Sequence, residues 1–333
     1  MKILRLKYNN LLNKIMNKFK EEIYLALNPD VKKAVEKGIF KNGQEHYILY
    51  GKKENRRPFS SSSREYKVFK LINKKGLGLE IGPSHNPIAP KNMGYNVHIL
   101  DHATASELRK KYKGHESNGV ILENIEEVDF VWHGETYQKL IGKTNYYDWI
   151  ISSHVIEHIP DLISHFQQCE ALLKPNGVLS LVIPDKRYCF DYFSSVSTTG
   201  QFLDAFKQKR THPSFGQTFD HFANSTKCGE QTAWDINHKG AYKLIHTFEQ
   251  AQDLYNQAQQ GKKYIDVHCW RFTPTSFKLL ISDLRQLGLI NLEIKASFDT
   301  TGCEFYMSLV KKKNPNLKLE RVNTLQKIKL ENG

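Results

Sequence analysis

The chain has 333 residues, of which 40% are hydrophobic and 25% are charged, and its formal net charge is +13. This length and composition suit one large core plus a small accessory domain, which excludes a disordered chain. No apolar run approaches the roughly 20 residues that span a bilayer, and the five scattered cysteines include no C-x-x-C pair. We therefore expect a folded cytoplasmic protein. Its positive charge leaves nucleic acid or an anionic membrane surface open as a binding partner.

The first segment, residues 1–20, places apolar side chains at helical spacing with lysines among the remaining positions. This pattern predicts a basic amphipathic helix. Two placements stay open. We favour packing on the chain's own domain or on a partner subunit; the alternative is peripheral contact with the anionic inner face of a membrane.

Residues 21–59 predict a separate unit of two or three short helices. Asn28 beside Pro29 supplies a helix start, and Gly38 and Gly51 supply stops. The unit resembles a small helical module found beside enzymes of bacterial surface-polysaccharide assembly. That resemblance implies a context and names no reaction, and a simple packing appendage remains an equal alternative.

The main domain is predicted over residues 71–313, after a serine-rich linker over 60–70 and before a basic tail over 314–333. Alternating strands and helices predict a doubly wound α/β fold with a parallel sheet. Its last two strands, joined by a turn at 299–302, predict an antiparallel hairpin, which ordinary dinucleotide dehydrogenases lack. The predicted strands are 77–81, 97–100, 128–132, 149–153, 178–183, 289–298 and 305–311, and the predicted helices include 162–173 and 275–287.

Residues 76–101 predict a cofactor site. A buried strand stops at Gly82, where the backbone can turn sharply and come close to a ligand. A second strand ends in Asp101, about 20 residues after the turn, where a carboxylate suits the two hydroxyls of a ribose. The single glycine in this turn would cradle a pyrophosphate poorly. A cofactor with a ribose and no phosphates fits better, which favours S-adenosylmethionine over NAD.

Four segments carry motifs in a fixed order: residues 79–84, Asp101, residues 147–161 and residues 172–185. Their order and spacing resemble those of class I S-adenosylmethionine-dependent methyltransferases of the type 11-like group. The resemblance implies a methyltransferase with a Rossmann-like sheet and S-adenosylmethionine as its cofactor. One departure is Ser84, where that family more often has a second glycine.

The same resemblance implies cofactor contacts at the carboxyl ends of the first four strands. Glu80 either organises the methionine amino group of the cofactor through the loop or merely hydrogen-bonds nearby backbone. His102 would lie beside the adenine, and residues 132–134 would contact its edge. The complete predicted set is Glu80, Gly82, Pro83, Ser84, Asp101, His102, Trp132, His133, Gly134, Ser153 and His154.

Residues 154–158 also match H-x-x-E-H, a zinc-peptidase pattern. Zinc would need both histidines on one helical face, whereas an apolar strand runs straight into the first of them. We therefore favour a structural role for Glu157 and His158. No metal site is predicted, and a metal bound by Asp185 or His268 stays open.

Residues 186–270 form a polar and aromatic insertion after the fifth strand, expected to hang over the active site and build the acceptor pocket. Aromatic faces flanked by carboxylates and imidazoles suit a sugar, whose ring stacks while its hydroxyls hydrogen-bond. A hydroxyl acceptor must lose its proton during methylation, so a base is useful. The candidate bases, in order, are His221, His154 and Asp185.

Together these features predict O-methylation of a sugar, glycan or sugar-nucleotide intermediate in bacterial surface-polysaccharide biosynthesis. One alternative is an RNA methyltransferase, which the positive charge encourages although the chain has no recognisable RNA-binding module. Another is a non-catalytic scaffold that keeps the fold. Intact Gly82 and Asp101 argue against the scaffold.

Overall fold

A computed structural model of the chain describes residues 19, 21, 24–25, 28–51, 53–54, 63–115, 119–261, 264–312 and 319–332. The predicted amphipathic helix lies outside the described residues except for Phe19. The small N-terminal unit contains the helices Pro29–Glu36 and Gly43–His46 and the π-helical turn Tyr47–Gly51. This agrees with the prediction of two or three short helices.

Nine strands are present in the described part of the chain. They are β1 Gly78–Ile81, β2 Val97–Asp101, β3 Phe130–Val131, β4 Tyr147–Ser153, β5 Leu173–Pro184, β6 Thr226–Cys228, β7 Tyr242–Leu244, β8 Leu292–Thr301 and β9 Glu304–Lys311. Seven of them form one sheet in the order β3-β2-β1-β4-β5-β9-β8, and β6 pairs with β7 separately. Neighbouring strands among β1–β5 are parallel, whereas β9 is antiparallel to both β5 and β8. The predicted α/β fold with an antiparallel hairpin ending is confirmed.

The central strands read as continuous apolar runs because both faces of the sheet are covered. Successive side chains of β4 point to opposite faces, so that Trp149 and Ile151 join one core and Ile150 joins the other. The Trp149 ring lies directly over Gly78, where an added Cβ would come within 2.1 Å of it. Strand β1 therefore needs a glycine at its first position.

Helices cover both faces of the sheet and build the insertion. The predicted helices 162–173 and 275–287 are confirmed to within one residue at each end. None of the helices in the described ranges is long and apolar enough to cross a membrane. The helices of the main domain are Arg64–Val68, Ala105–Tyr112, Tyr137–Ile141, Leu162–Leu172, Thr199–Lys207, Phe215–Asn224, Phe248–Gln259, Pro274–Gln286 and Arg321–Glu331.

The linker predicted over 60–70 is too long. Ser63 caps the helix Arg64–Val68, because its side chain accepts a hydrogen bond from Tyr66 N at 3.1 Å. Val68 is buried, and its carbonyl accepts a hydrogen bond from Ser180 Oγ of β5 at 2.7 Å. The end of the serine run is therefore a helix start that belongs to the main domain.

Two further elements near the C-terminus differ from expectation. The hairpin turn is tighter than residues 299–302, because Thr301 pairs with Glu304 and Gly302, at φ +62°, occupies a two-residue turn. The basic tail contains the helix Arg321–Glu331. Arg321 Nη1 donates to Asp283 Oδ1 at 2.5 Å, which attaches that helix to Pro274–Gln286.

Candidate cofactor and acceptor site

The carboxyl ends of the parallel strands meet at one edge of the sheet, where ligands of open α/β folds bind. Backbone hydrogen bonds bring the predicted residues together there. Gly82 N donates to Leu100 O and Trp132 N donates to Asp101 O, each at 2.8 Å, and His154 N donates to Val182 O at 3.0 Å. The structure thus places the ends of β1 to β5 side by side.

The turn after β1 depends on two residues in the left-handed region of backbone space. Gly82 has φ +63°, and a Cβ added there would lie 2.7 Å from Val155 Cγ2. Ser84 has φ +48°, a conformation that favours glycine. The departure from the resembled family thus falls at a position where glycine is the easier residue.

Glu80 holds the loop that returns from this turn. Its Oε1 accepts from Ile88 N at 2.6 Å and its Oε2 accepts from Ala89 N at 3.0 Å, and the side chain is buried. These bonds to nearby backbone belong to both predicted alternatives, because holding the loop is also the way in which Glu80 would organise the methionine amino group. The carboxylate fixes the loop that contains Pro83.

Asp101 ends β2 with its side chain 2% exposed. Its Oδ2 accepts from Ser84 N at 3.2 Å, and its Oδ1 accepts from His102 N at 2.8 Å. The His102 ring, 52% exposed, covers Oδ1 with Nδ1 at 2.7 Å. Because each carboxylate oxygen has two lone pairs, rotation of the exposed ring would open Oδ1 to ribose hydroxyls. These acceptor oxygens therefore fit a ribose-bearing cofactor.

Residues 132–134 form a turn directly after β3. Trp132 Nε1 donates to Glu135 O at 2.6 Å, and His133 N donates to Glu135 Oε2 at 3.0 Å. Gly134 has φ +104°, and nothing lies within 4 Å of an added Cβ. The turn therefore lies next to Asp101 and is open on its outer side. Residues 132–134 could contact the edge of an adenine there, as predicted.

Ser153 and His154 belong to a polar network that sequence reasoning missed. Arg64 Nη2 donates to Ser153 Oγ at 2.7 Å, Arg64 Nε donates to Glu304 Oε1 at 2.7 Å, and His154 Nε2 lies 2.8 Å from Glu304 Oε2. Burial raises the pKa of Glu304, but its bond to His154 and the nearby Arg64 outweigh this and lower it to about 2. The only sequence signal was the position of Glu304 beside the hairpin turn.

Asp185 is fully buried at the end of β5 and is occupied by strong donors. Arg187 Nε donates to its Oδ1 at 2.9 Å and Arg187 Nη2 to its Oδ2 at 2.6 Å. Thr300 Oγ1 donates to Oδ2 at 2.5 Å. These bonds favour Asp185 as an anchor between β5 and the hairpin.

His221 lies inside the insertion on the helix Phe215–Asn224. Its Nδ1 accepts a hydrogen bond from His268 N at 3.2 Å. Burial, followed by the nearby His268, lowers the pKa of His221 to about 3. Its ring is therefore neutral near pH 7, and because Nδ1 is an acceptor, Nε2 carries the hydrogen. This arrangement favours His221 as a hydrogen-bond donor and not as the general base.

The insertion also encloses a cavity of about 1000 Å³ together with the C-terminal helix. Tyr192 and Tyr242 stack on its wall with ring centroids 4.5 Å apart, and the Trp234 ring lies 6.0 Å from that of Tyr192. Lys186 and Arg187 place two cations beside these aromatic rings. None of the predicted cofactor or base residues lines this cavity, which begins just after the end of β5.

Comparisons with known proteins give one family match and several similar solved structures. The family of methyltransferase domains matches residues 56–284. Among solved structures, a SAM-dependent methyltransferase from Aquifex aeolicus is similar at 10% identity and a TM-score of 0.37, over 74% of this chain and 89% of that one. An S-adenosylmethionine-dependent methyltransferase from Mesorhizobium loti is similar at 10% identity and a TM-score of 0.36, over 75% and 99%.

The CurJ carbon methyltransferase is similar at 10% identity and a TM-score of 0.36, over 74% of this chain, which spans about half (51%) of that one. No match is found among curated proteins. S-adenosylmethionine is the expected cofactor, and when bound it supplies an electrophilic methyl group. Gly82, Ser84 and Asp101 are the residues that would hold it. Because the family match spans more than half of its length, this chain belongs to the methyltransferase-domain family.

Proposed function

We propose that this enzyme O-methylates a sugar or glycan intermediate of bacterial surface-polysaccharide biosynthesis. The observation that carries the proposal is the aromatic cavity of the insertion. Tyr192 and Tyr242 stack with an interplanar angle of 13°, and Trp234 stands beside both rings. Aromatic faces offer large, rigid contact surfaces with a polar tip. Such a wall suits a pyranose ring, which is apolar on its faces and polar at its rim.

Polar groups around the aromatic wall support the same acceptor class. Lys186 Nζ donates one hydrogen bond to Tyr192 O at 3.0 Å, which leaves two further donor hydrogens. Arg187 and His238 also line the cavity. Cations beside this aromatic cavity would bind the phosphates of a sugar nucleotide.

A hydroxyl acceptor also needs a group that takes its proton. Of the three predicted bases, Asp185 accepts hydrogen bonds from Arg187 and Thr300, and His221 already accepts one at Nδ1. His154 is bonded to Glu304 through Nε2, which leaves its Nδ1 to take a proton. His154 is exposed at the carboxyl end of β4, one residue from Val155, which packs against the cofactor turn at Gly82. We therefore propose His154 as the base, positioned by Glu304; because His154 lies outside the aromatic cavity, this proposal requires the acceptor to extend from the cavity to the carboxyl end of β4.

The test is transfer of a labelled methyl group from S-adenosylmethionine to a panel of nucleotide sugars, glycan extracts and RNA. We expect labelling of a sugar-containing acceptor. Tyr242→Leu should weaken acceptor use about 2- to 10-fold, the value of one aromatic contact, while cofactor affinity stays unchanged. Phe248→Leu, an exposed aromatic residue of the insertion outside the cavity, is the matched control.

Other results would point elsewhere. Labelling of RNA alone would favour the RNA methyltransferase. Cofactor binding without labelling of any acceptor, repeated with crude cell extract, would favour the scaffold. Equal loss of acceptor use in Tyr242→Leu and Phe248→Leu would remove the cavity from the acceptor site.

A further inference from the structure

Glu157 is a buried carboxylate whose charge has no hydrogen-bonding partner. It lies in the 3-10 turn Ile156–His158 and is 0% exposed, and neither of its carboxylate oxygens accepts a hydrogen bond from a described residue. Its backbone carbonyl accepts from Cys269 N at 2.7 Å, which fixes the end of the insertion beside it. A buried ionised carboxylate is costly unless a cation compensates it.

Three imidazole nitrogens surround this carboxylate without bonding to it. His154 Nδ1, His158 Nε2 and His268 Nε2 lie 3.7, 4.0 and 3.9 Å from Glu157 Oε1. These separations are too long for hydrogen bonds. The ligand atoms of Glu157, His158 and His268 all lie within 4.8 Å of one another. A metal ion with bonds of about 2.1 Å holds its ligand atoms roughly 3–4 Å apart.

The far side of each of two histidines is held by a carboxylate. His158 Nδ1 lies 2.9 Å from Asp266 Oδ1, and His268 Nδ1 lies 2.5 Å from Asp191 Oδ2. Metal-binding histidines almost always donate their second ring nitrogen to such a partner, which fixes the tautomer. When Nδ1 of each neutral ring donates to its carboxylate, the Nε2 lone pairs of both rings are on the side of Glu157.

We propose that Glu157, His158 and His268 bind one divalent transition-metal ion, with Zn²⁺ favoured by two imidazoles and one carboxylate. Three protein ligands leave at least one coordination position for water or a substrate oxygen. His154 borders the site but is not one of its ligands. The site lies beside the carboxyl end of β4. Metal binding there does not depend on the identity of the methyl acceptor.

This ligand set differs from the zinc-peptidase pattern in the sequence. His154 follows the last residue of β4 and has φ +53°, and the 3-10 turn Ile156–His158 begins two residues later. The two histidines of that pattern therefore do not share a helical face. The end of the insertion supplies His268 instead.

The test uses the full chain, stripped of metal with a chelator and titrated with ZnCl₂ in a calorimeter. We expect one ion per chain and micromolar or tighter binding. Glu157→Gln and His268→Ala should each weaken binding at least 100-fold, and Asp266→Asn, which removes an orienting carboxylate, about 10- to 100-fold. His115→Ala, an exposed histidine, is the matched control and should bind like the unmodified chain.

Substitution with Co²⁺ gives a second readout, because its visible absorption bands should appear in the unmodified chain and vanish in Glu157→Gln. That variant keeps the side-chain shape, and its melting temperature without metal shows whether it folds. Zinc binding equally tight in Glu157→Gln and His268→Ala, or no saturable binding by the unmodified chain, would overturn the proposal. Neither result depends on methyl transfer, so failure here leaves the proposed acceptor standing.

Discussion

The cofactor turn after β1 and the histidine–carboxylate cluster around Glu157 share one edge of the sheet but are held by different forces. In the turn, the carboxylates of Glu80 and Asp101 accept hydrogen bonds from backbone amides. Around Glu157, side chains from distant segments form ion pairs, such as His268 with Asp191. The turn is therefore fixed by hydrogen bonds to backbone amides, whereas the cluster is held by pairs of ionisable side chains from segments far apart in the sequence.

The largest effect is expected where both regions share their support, at Trp149 in β4. Trp149→Ala removes a fully buried ring that packs over Gly78, and should lower the free energy of unfolding by about 3–5 kcal/mol. Urea unfolding of the variant measures this. Leu287→Ala, at an exposed helix end, is the control and should change stability little. A loss below about 1 kcal/mol would contradict a core centred on β4.

The second effect concerns pH dependence in the side-chain network at Glu304. Its pKa is lowered from 4.5 to about 2, mainly through His154 and Arg64 against the opposing effect of burial. A lowered carboxyl pKa stabilises the fold above the unfolded value of 4.5, and this contribution disappears as the pH falls towards 2. Glu304→Gln should therefore lower the free energy of unfolding on the order of 2–3 kcal/mol at neutral pH, with the difference shrinking in acid.

Urea unfolding from pH 7 to pH 3 measures that difference. Glu230→Gln is the matched control, since its carboxylate pairs with Lys227 at the exposed surface. A difference for Glu304→Gln that stays constant over this pH range would show that the network does not depend on the charge of Glu304.

The third effect concerns cofactor binding at the turn after β1. Asp101→Ala should weaken S-adenosylmethionine binding about 10- to 100-fold, or roughly 1.5–3 kcal/mol, because hydrogen bonds to a charged group are lost. The fold should remain, and so should zinc binding if Glu157 forms a separate site. Calorimetry of Asp101→Ala beside Asp253→Ala, an exposed aspartate of the insertion, measures the change. Unchanged affinity in the folded variant would remove Asp101 from the cofactor site.

The smallest effect tests the boundary between the linker and the main domain. Ser63→Ala removes the cap of the helix Arg64–Val68 and should lower the free energy of unfolding by about 1 kcal/mol. Ser61→Ala, within the same serine run, is the control. Equal free energies of unfolding for both variants would show that Ser63 does not stabilise the helix and belongs to the linker.

Local patterns in the sequence predicted the strands and the positions at which they end. Continuous apolar runs located the strands, and the strand ends at Gly82 and Asp101 located the cofactor turn. Such features depend on neighbours along the chain, which a sequence displays directly.

Contacts between distant segments could not be predicted in this way. Nothing near Glu157 indicates that His268 will face it, because the fold of the whole insertion brings them together. The same holds for Arg64 and Glu304, which meet across the sheet. Ser63 was missed for another reason, since a serine serves equally as a linker residue and as a helix cap.

The central claim is that the edge of the sheet at Gly82 and Asp101 binds S-adenosylmethionine. Calorimetric titration of the full chain with S-adenosylmethionine, and separately with NAD, tests it most directly. We expect saturable binding of one S-adenosylmethionine per chain and no heat of binding with NAD. Saturable binding of NAD, or no binding of S-adenosylmethionine by the folded chain, would contradict it.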